Sequence, residues 1–181
     1  YTTTAGTGTM HLSSENEALV KLQRLKNDYA ERIKTDFEHK AQSCKTCKTP
    51  GACCIDAHFV NVNITRLETA AIRKTIGKFS SEKQAEIYGR IEETIEKYNL
   101  ETSGDTFSKT YACPLFEKGT GCLVHGEAKP LPCIQHACYD NKEDLPPDEI
   151  LAEHEGRVEH LNRRTYSGPA AWLPLPLFIR Q

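Results

Sequence analysis

Nothing in this sequence is long, apolar and unbroken. The most hydrophobic stretch, PAAWLPLPLFI near the C-terminus, is short and interrupted by prolines, so it cannot span a bilayer. Charge of one sign is equally scarce. A net charge of −2 argues against a general nucleic-acid or membrane surface, and neither is expected as a partner. No strand–glycine-loop–helix pattern marks a nucleotide-type cofactor site, and no internal repeat or low-complexity segment stands out. The first nine residues, YTTTAGTGT, carry neither an apolar run nor charge and so make no signal-peptide core; residues 1–13 read as a flexible N-terminal segment.

What remains is an ordinary globular composition. Hydrophobic content of 38% and charged content of 27% over 181 residues fit one mainly α domain. Ser14-Glu15-Asn16-Glu17 has the form of a capping box. Beyond it Leu19, Leu22, Leu25, Tyr29, Ile33, Phe37 and Ala41 recur at steps of three and four, predicting a long helix over residues 14–42. Its other face, with Lys21, Arg24, Lys26, Asp28, Glu31, Arg32, Lys34 and Asp36, reads as solvated because the signs are mixed. Thr65 opens a second helix with Leu67, Ala71, Ile72, Ile76 and Phe79 inward and a break at Gly77. Ser81 to Gln84 reads as another capping box, and Ala85, Tyr88, Ile91, Ile95 and Tyr98 mark a third helix over 82–99. Pro146-Pro147-Asp148 opens a fourth, with Leu151, His154, Val158 and Leu161 on one face and His154 as a packed histidine. This helical body covers 14–166. Residues 167–181 read as a proline-rich strap, extended rather than helical, that covers the domain's own core.

Cysteine is the exception to this ordinariness. Four of the eight lie in SCKTCKTPGACC, as Cys44, Cys47, Cys53 and Cys54; the rest are Cys113, Cys122, Cys133 and Cys138. Disulfide-dense domains are usually small and short of core, whereas this chain has several long amphipathic helices. The Cys-x2-Cys knuckle aims two sulfurs at one ion. Metal is therefore preferred to disulfides, in a reducing compartment such as the cytoplasm or the mitochondrial matrix. Adjacent residues in extended backbone point opposite ways, so Cys53 and Cys54 feed two neighbouring centres more easily than one. Eight thiols at four per centre give two centres. Zinc and an iron–sulfur cluster both take four thiolates, and spacing leaves the choice open. DAHFVNVNI holds a short strand. EKGTG, between Leu115-Phe116 and Leu123-Val124, predicts a tight hairpin with Cys113 and Cys122 near its ends. Pro132 starts one helical turn carrying Cys133 and Cys138. His58, His125 and His136, close by in sequence, read as polar loop histidines.

The order CKTCKTPGACC, ITRLETAAI, ACPLF, GCLVHGEAKPLPC, HAC resembles the cysteine-cluster family of zinc- or iron-chelating domains known by the pattern CxxCxxCC. The likeness runs from Cys44 to Cys138 and takes in all eight cysteines. Two departures are visible: His125 stands where the family usually has tyrosine, and Lys129 precedes Pro130 where arginine is usual. The resemblance implies metal binding, with zinc or an iron–sulfur cluster held in a mainly structural or accessory role. Flagellin lysine-N-methylases carry a similar segment, so an iron–sulfur redox or methyl-transfer enzyme is the alternative. A further alternative is an accessory subunit that grips a protein partner or larger complex with helix 14–42 and the C-terminal strap.

Overall fold

The computed structural model describes residues 13–42, 48–55 and 60–181. The expected flexible segment, apart from Ser13, lies outside the described residues, as do Cys44, Cys47 and His58. The chain is mainly α: the described residues form seven α-helices and three two-stranded antiparallel pairings of two residues per strand. Among the described residues no helix is long and apolar enough to cross a membrane.

Helix α1 (Glu15–Asp36) starts at the predicted box, Glu17 N–H donating to Ser14 Oγ and Ser14 N–H to the Glu17 carboxylate, each at 3.3 Å. It ends six residues earlier than expected. Phe37 leaves helical geometry (φ −131°, ψ −43°), a 3₁₀ turn follows over Glu38–Lys40, and β1 (Ala41–Gln42) pairs with β5 (Cys138–Tyr139). The cross-strand bonds take the backbone groups that another helical turn would have used. The single turn α2 (Ala52–Ile55) precedes β2 (Asn63–Ile64); of the strand expected in DAHFVNVNI, residues 60–64 are described and only these two are strand.

Helix α3 (Arg66–Ile76) opens on Thr65 with a full capping box to Glu68 and closes at Gly77, as its sequence predicts. Helix α4 (Ser81–Lys97) is capped by Ser80 rather than by Ser81, because Ser80 Oγ is the atom that reaches Lys83 N–H. Gln84 turns back instead to the carbonyls of Gly77 and Phe79. The hairpin of β3 (Phe116–Glu117) and β4 (Gly121–Cys122) forms where EKGTG predicted it, with Gly119 and Gly121 at φ +89° and +95°. Helix α5 (Leu131–Gln135) carries Cys133. Cys138 is not on that turn: His136 adopts extended backbone, and Cys138 falls in β5 opposite Gln42. Helix α6 (Asp148–Tyr166) follows the prolines.

The strap corrects one expectation and meets another. After β6 (Leu173–Pro174), which pairs with β2, it is helical as α7 (Leu175–Arg180). Pro176 sits in the first turn, where a missing N–H costs no intrahelical bond. Leu175, Leu177, Phe178 and Ile179 are buried, so the strap does cover the domain's own core. Their burial contributes on the order of 6–12 kcal/mol gross. Arg73 fixes the end by donating to Ile179 O at 2.7 Å.

Two adjoining clusters make the core. One joins α3, α4, α7, β2 and the hairpin; the other joins α1, α3, α5 and α6. In the second, His154 is 4% exposed, stacks on Tyr29 at 4.1 Å and bonds through Nδ1 to Ile150 O, a packed histidine as expected. Lys26 departs from the sequence reading. It is buried rather than solvated, its ammonium 2.9 Å from the Glu68 carboxylate, which is itself fully enclosed.

Candidate metal centre

Three connections bring the two cysteine-bearing stretches together. Gln42, just before the first stretch, pairs with Cys138, and its side-chain amide donates to Asp140 at 2.7 Å. Cys113 N–H donates to Cys54 O at 2.7 Å. The third is a close approach: Gly51, at φ +82°, lies so near the Phe116 ring that any Cβ there would collide with it. Glycine is required twice over, for the backbone angle and for the space. The Cys54 and Ile55 N–H groups both bond to Gly51 O, at 2.8 and 3.2 Å, closing the α2 turn that presents Cys53 and Cys54.

The hairpin supplies the next two thiols. Cys113 O accepts from Phe116 N–H at 3.2 Å, Leu123 N–H bonds Leu115 O at 3.0 Å, and Cys122 pairs opposite Phe116. Helix α5 adds Cys133. Cys113, Cys122 and Cys133 all pack against the first core cluster. Cys53, Cys54, Cys113, Cys122 and Cys133 are all thiols, not cystines. Each of these residues is half-buried.

Burial dominates the chemistry of the deeper thiols. Enclosure pushes Cys113 up to about 12 and raises Cys122 and Cys133, because a thiolate there loses its water. Neighbouring thiols add to this: Cys113 is raised by Cys122, and Cys133 by Cys113 and Cys122. Cys53 behaves oppositely. Hydrogen bonds from the Cys54 thiol and then from exposed His136 hold it down to about 4, while the same contact raises Cys54. His125 is exposed and held down, first by Lys129 and then by desolvation.

Donor type and number suit a soft metal ion or an iron–sulfur cluster, whose positive charge would offset the desolvation of buried thiolates. A second observation agrees. Arg90 on α4 has Nε and Nη2 enclosed without a hydrogen-bond acceptor, and its charge lowers the Cys113 pKa. Lys129 lowers Cys122 and Cys133, and Lys26 also lowers Cys133. Ligand geometry is a separate matter. Among the described residues, no group of three or more His, Cys, Asp or Glu side chains stands ready to hold an ion.

Sequence reasoning missed Lys26 and Arg90. The signal for Lys26 was present, since it follows Leu22 by four and precedes Tyr29 by three, within the apolar stripe. Arg90 had no such mark. No family model, no curated protein and no solved structure matches this chain.

Proposed function

We propose that this protein is a metal-binding module whose cysteines hold zinc or an iron–sulfur cluster, mainly to fix its own loops or those of an assembly it serves. One observation carries the reading: thiols from residues 53–54 and 113–133, distant in sequence, share one half-buried region without forming cystines. Without a metal these thiols stay protonated and neutral, and a bound cation would supply the charge that favours their thiolate form. The ordered resemblance to the CxxCxxCC pattern supports the same reading, and a reducing compartment follows from it.

A structural four-thiolate site supplies on the order of 10 kcal/mol, comparable with a domain's whole net stability. The test is elemental analysis and a visible spectrum of anaerobically prepared protein, wild type beside Cys44→Ser and Cys133→Ser. The expected outcome is bound metal in the wild type, with both variants losing it and melting early. Colourless, zinc-loaded protein makes the bound ion zinc and counts against the iron–sulfur alternative; brown protein bleached by dithionite makes it an iron–sulfur centre. Unchanged metal content and melting in both variants would overturn the reading.

A further inference from the structure

One face of α3 borders a cavity far from the cysteines. Arg66, Thr69, Ala70 and Arg73 fall at the spacing that puts side chains on a single helical stripe. The two central residues are small and the outer two long. Tyr166 of α6 and Phe178 of α7 line the same hollow, whose volume is about 470 Å³. That is the size a small organic molecule fills, rather than a single ion or water.

The two arginines are held in different ways. Arg66 lies over the Tyr166 ring, its guanidinium carbon 4.0 Å from the centroid, and the Tyr166 hydroxyl donates to Glu15 at 2.6 Å, which fixes the ring. Stacking uses the face of the guanidinium and leaves its N–H edge open. Among the described residues no carboxylate or carbonyl accepts from that edge. Arg73 donates through Nε and Nη2 to Ile179 O at 3.1 and 2.7 Å, while its Nη1 has no such partner among the described residues. Glu15, the carboxylate that lines the cavity, is already engaged by Tyr166. The cavity is left with two anchored cations and an excess of positive charge.

We propose that this cavity binds a small organic anion, its carboxylate or phosphate group on the N–H edge of Arg66 and its apolar body over Ala70 towards Phe178. The site is separate from the thiols and does not depend on the metal reading. A guanidinium edge offers parallel N–H donors to two oxygens, which suits both head groups. Stacking on Tyr166 holds that edge before a ligand arrives, so less side-chain freedom is lost on binding. Arg73 adds positive charge without leaving the α7 carbonyl that anchors it.

The experiment is an ¹⁵N NMR titration of the full chain, as purified, at about 0.15 M salt, with phenylacetate, phenyl phosphate and inorganic phosphate as separate probes. At least one phenyl probe is expected to saturate with a Kd of about 1 mM or tighter, moving the side-chain Nε–Hε signal of Arg66 and the backbone amides of residues 66–73. The tighter of the two phenyl probes names the head group. Inorganic phosphate lacks the apolar body and should bind about tenfold more weakly than phenyl phosphate. Arg66→Gln should weaken binding by about 10–100-fold. Tyr166→Leu keeps both cations but frees Arg66, and should weaken it a few-fold. Lys74→Gln removes an exposed cation of the same helix that does not line the cavity, and should leave affinity at the wild-type value. Arg66 is exposed as well, so its variant tests binding rather than folding. No saturable shift from either phenyl probe, shifts that miss Arg66, or equal losses in Lys74→Gln and Arg66→Gln would each overturn the site. Inorganic phosphate binding as tightly as phenyl phosphate overturns the organic anion, and wild-type affinity in Tyr166→Leu overturns the preorganised edge. Metal content is read separately and is untouched by any of these results.

Discussion

Replacing Glu68 with alanine should be the most damaging single change outside the cysteines. The Glu68 side chain is fully buried and the Lys26 side chain 4% exposed, so the 2.9 Å pair between α1 and α3 has almost no solvent screening. Its two atoms form no well-angled hydrogen bond, and charge is the main attraction. Removing the carboxylate leaves an enclosed ammonium among Leu22, Leu25 and Leu67, a loss of about 3–5 kcal/mol for breaking a buried pair. Glu68 also accepts from Thr65 N–H at 3.2 Å as half of the α3 capping box, worth about 1 kcal/mol more. The sum, roughly 4–6 kcal/mol, is a large part of the 5–15 kcal/mol that keeps a domain folded. At about 2–4 °C per kcal/mol, the melting temperature should fall by roughly 10–20 °C. The assay is thermal and urea unfolding followed by circular dichroism at pH 7. A paired change, Lys26→Met with Glu68→Gln, removes both charges and keeps an acceptor for Thr65, so it should recover most of the loss. A cost below about 1 kcal/mol for Glu68→Ala would refute the buried-charge argument. So would a double variant no better than the single.

Gly51→Ala forces an L-residue to φ +82° and drives a methyl into the Phe116 ring, so it should cost about 2–4 kcal/mol and separate α2 from the hairpin. Thiol labelling should then find Cys53 and Cys54 more reactive, and labelling unchanged from wild type would count against the close approach. Glu155 has its carboxyl raised, first by burial and then by Glu68, so the folded state holds this proton more tightly than the unfolded chain does. Its unfavourable contribution is absent below the unfolded value and grows as pH rises through the folded one. Glu155→Gln should therefore melt higher than wild type at pH 7 and converge with it near pH 4; a gap that widens on acidification would contradict this sign.

The helices were legible because their determinants are local. Ser14 with Glu17, Thr65 with Glu68, the break at Gly77 and the prolines before Asp148 each act within one turn, and the apolar periods follow from 3.6 residues per turn. The EKGTG hairpin was equally local, since its glycines take positive φ. Errors came where a distant segment competed for the same backbone: pairing with Cys138–Tyr139 ended α1 early and moved Cys138 off the α5 turn. The strap's prolines suggested an extended path, yet one at the second position of α7 is tolerated there, and core burial favours the helix. Sequence by itself determined that eight thiols must be accounted for and that amphipathic helices would surround them. Only the tertiary structure decided that Cys54 lies beside Cys113, that Gly51 meets Phe116, and that Lys26 is buried rather than solvated. Those relations join residues far apart in the chain, and they are set by how whole elements pack, which no short-range pattern encodes.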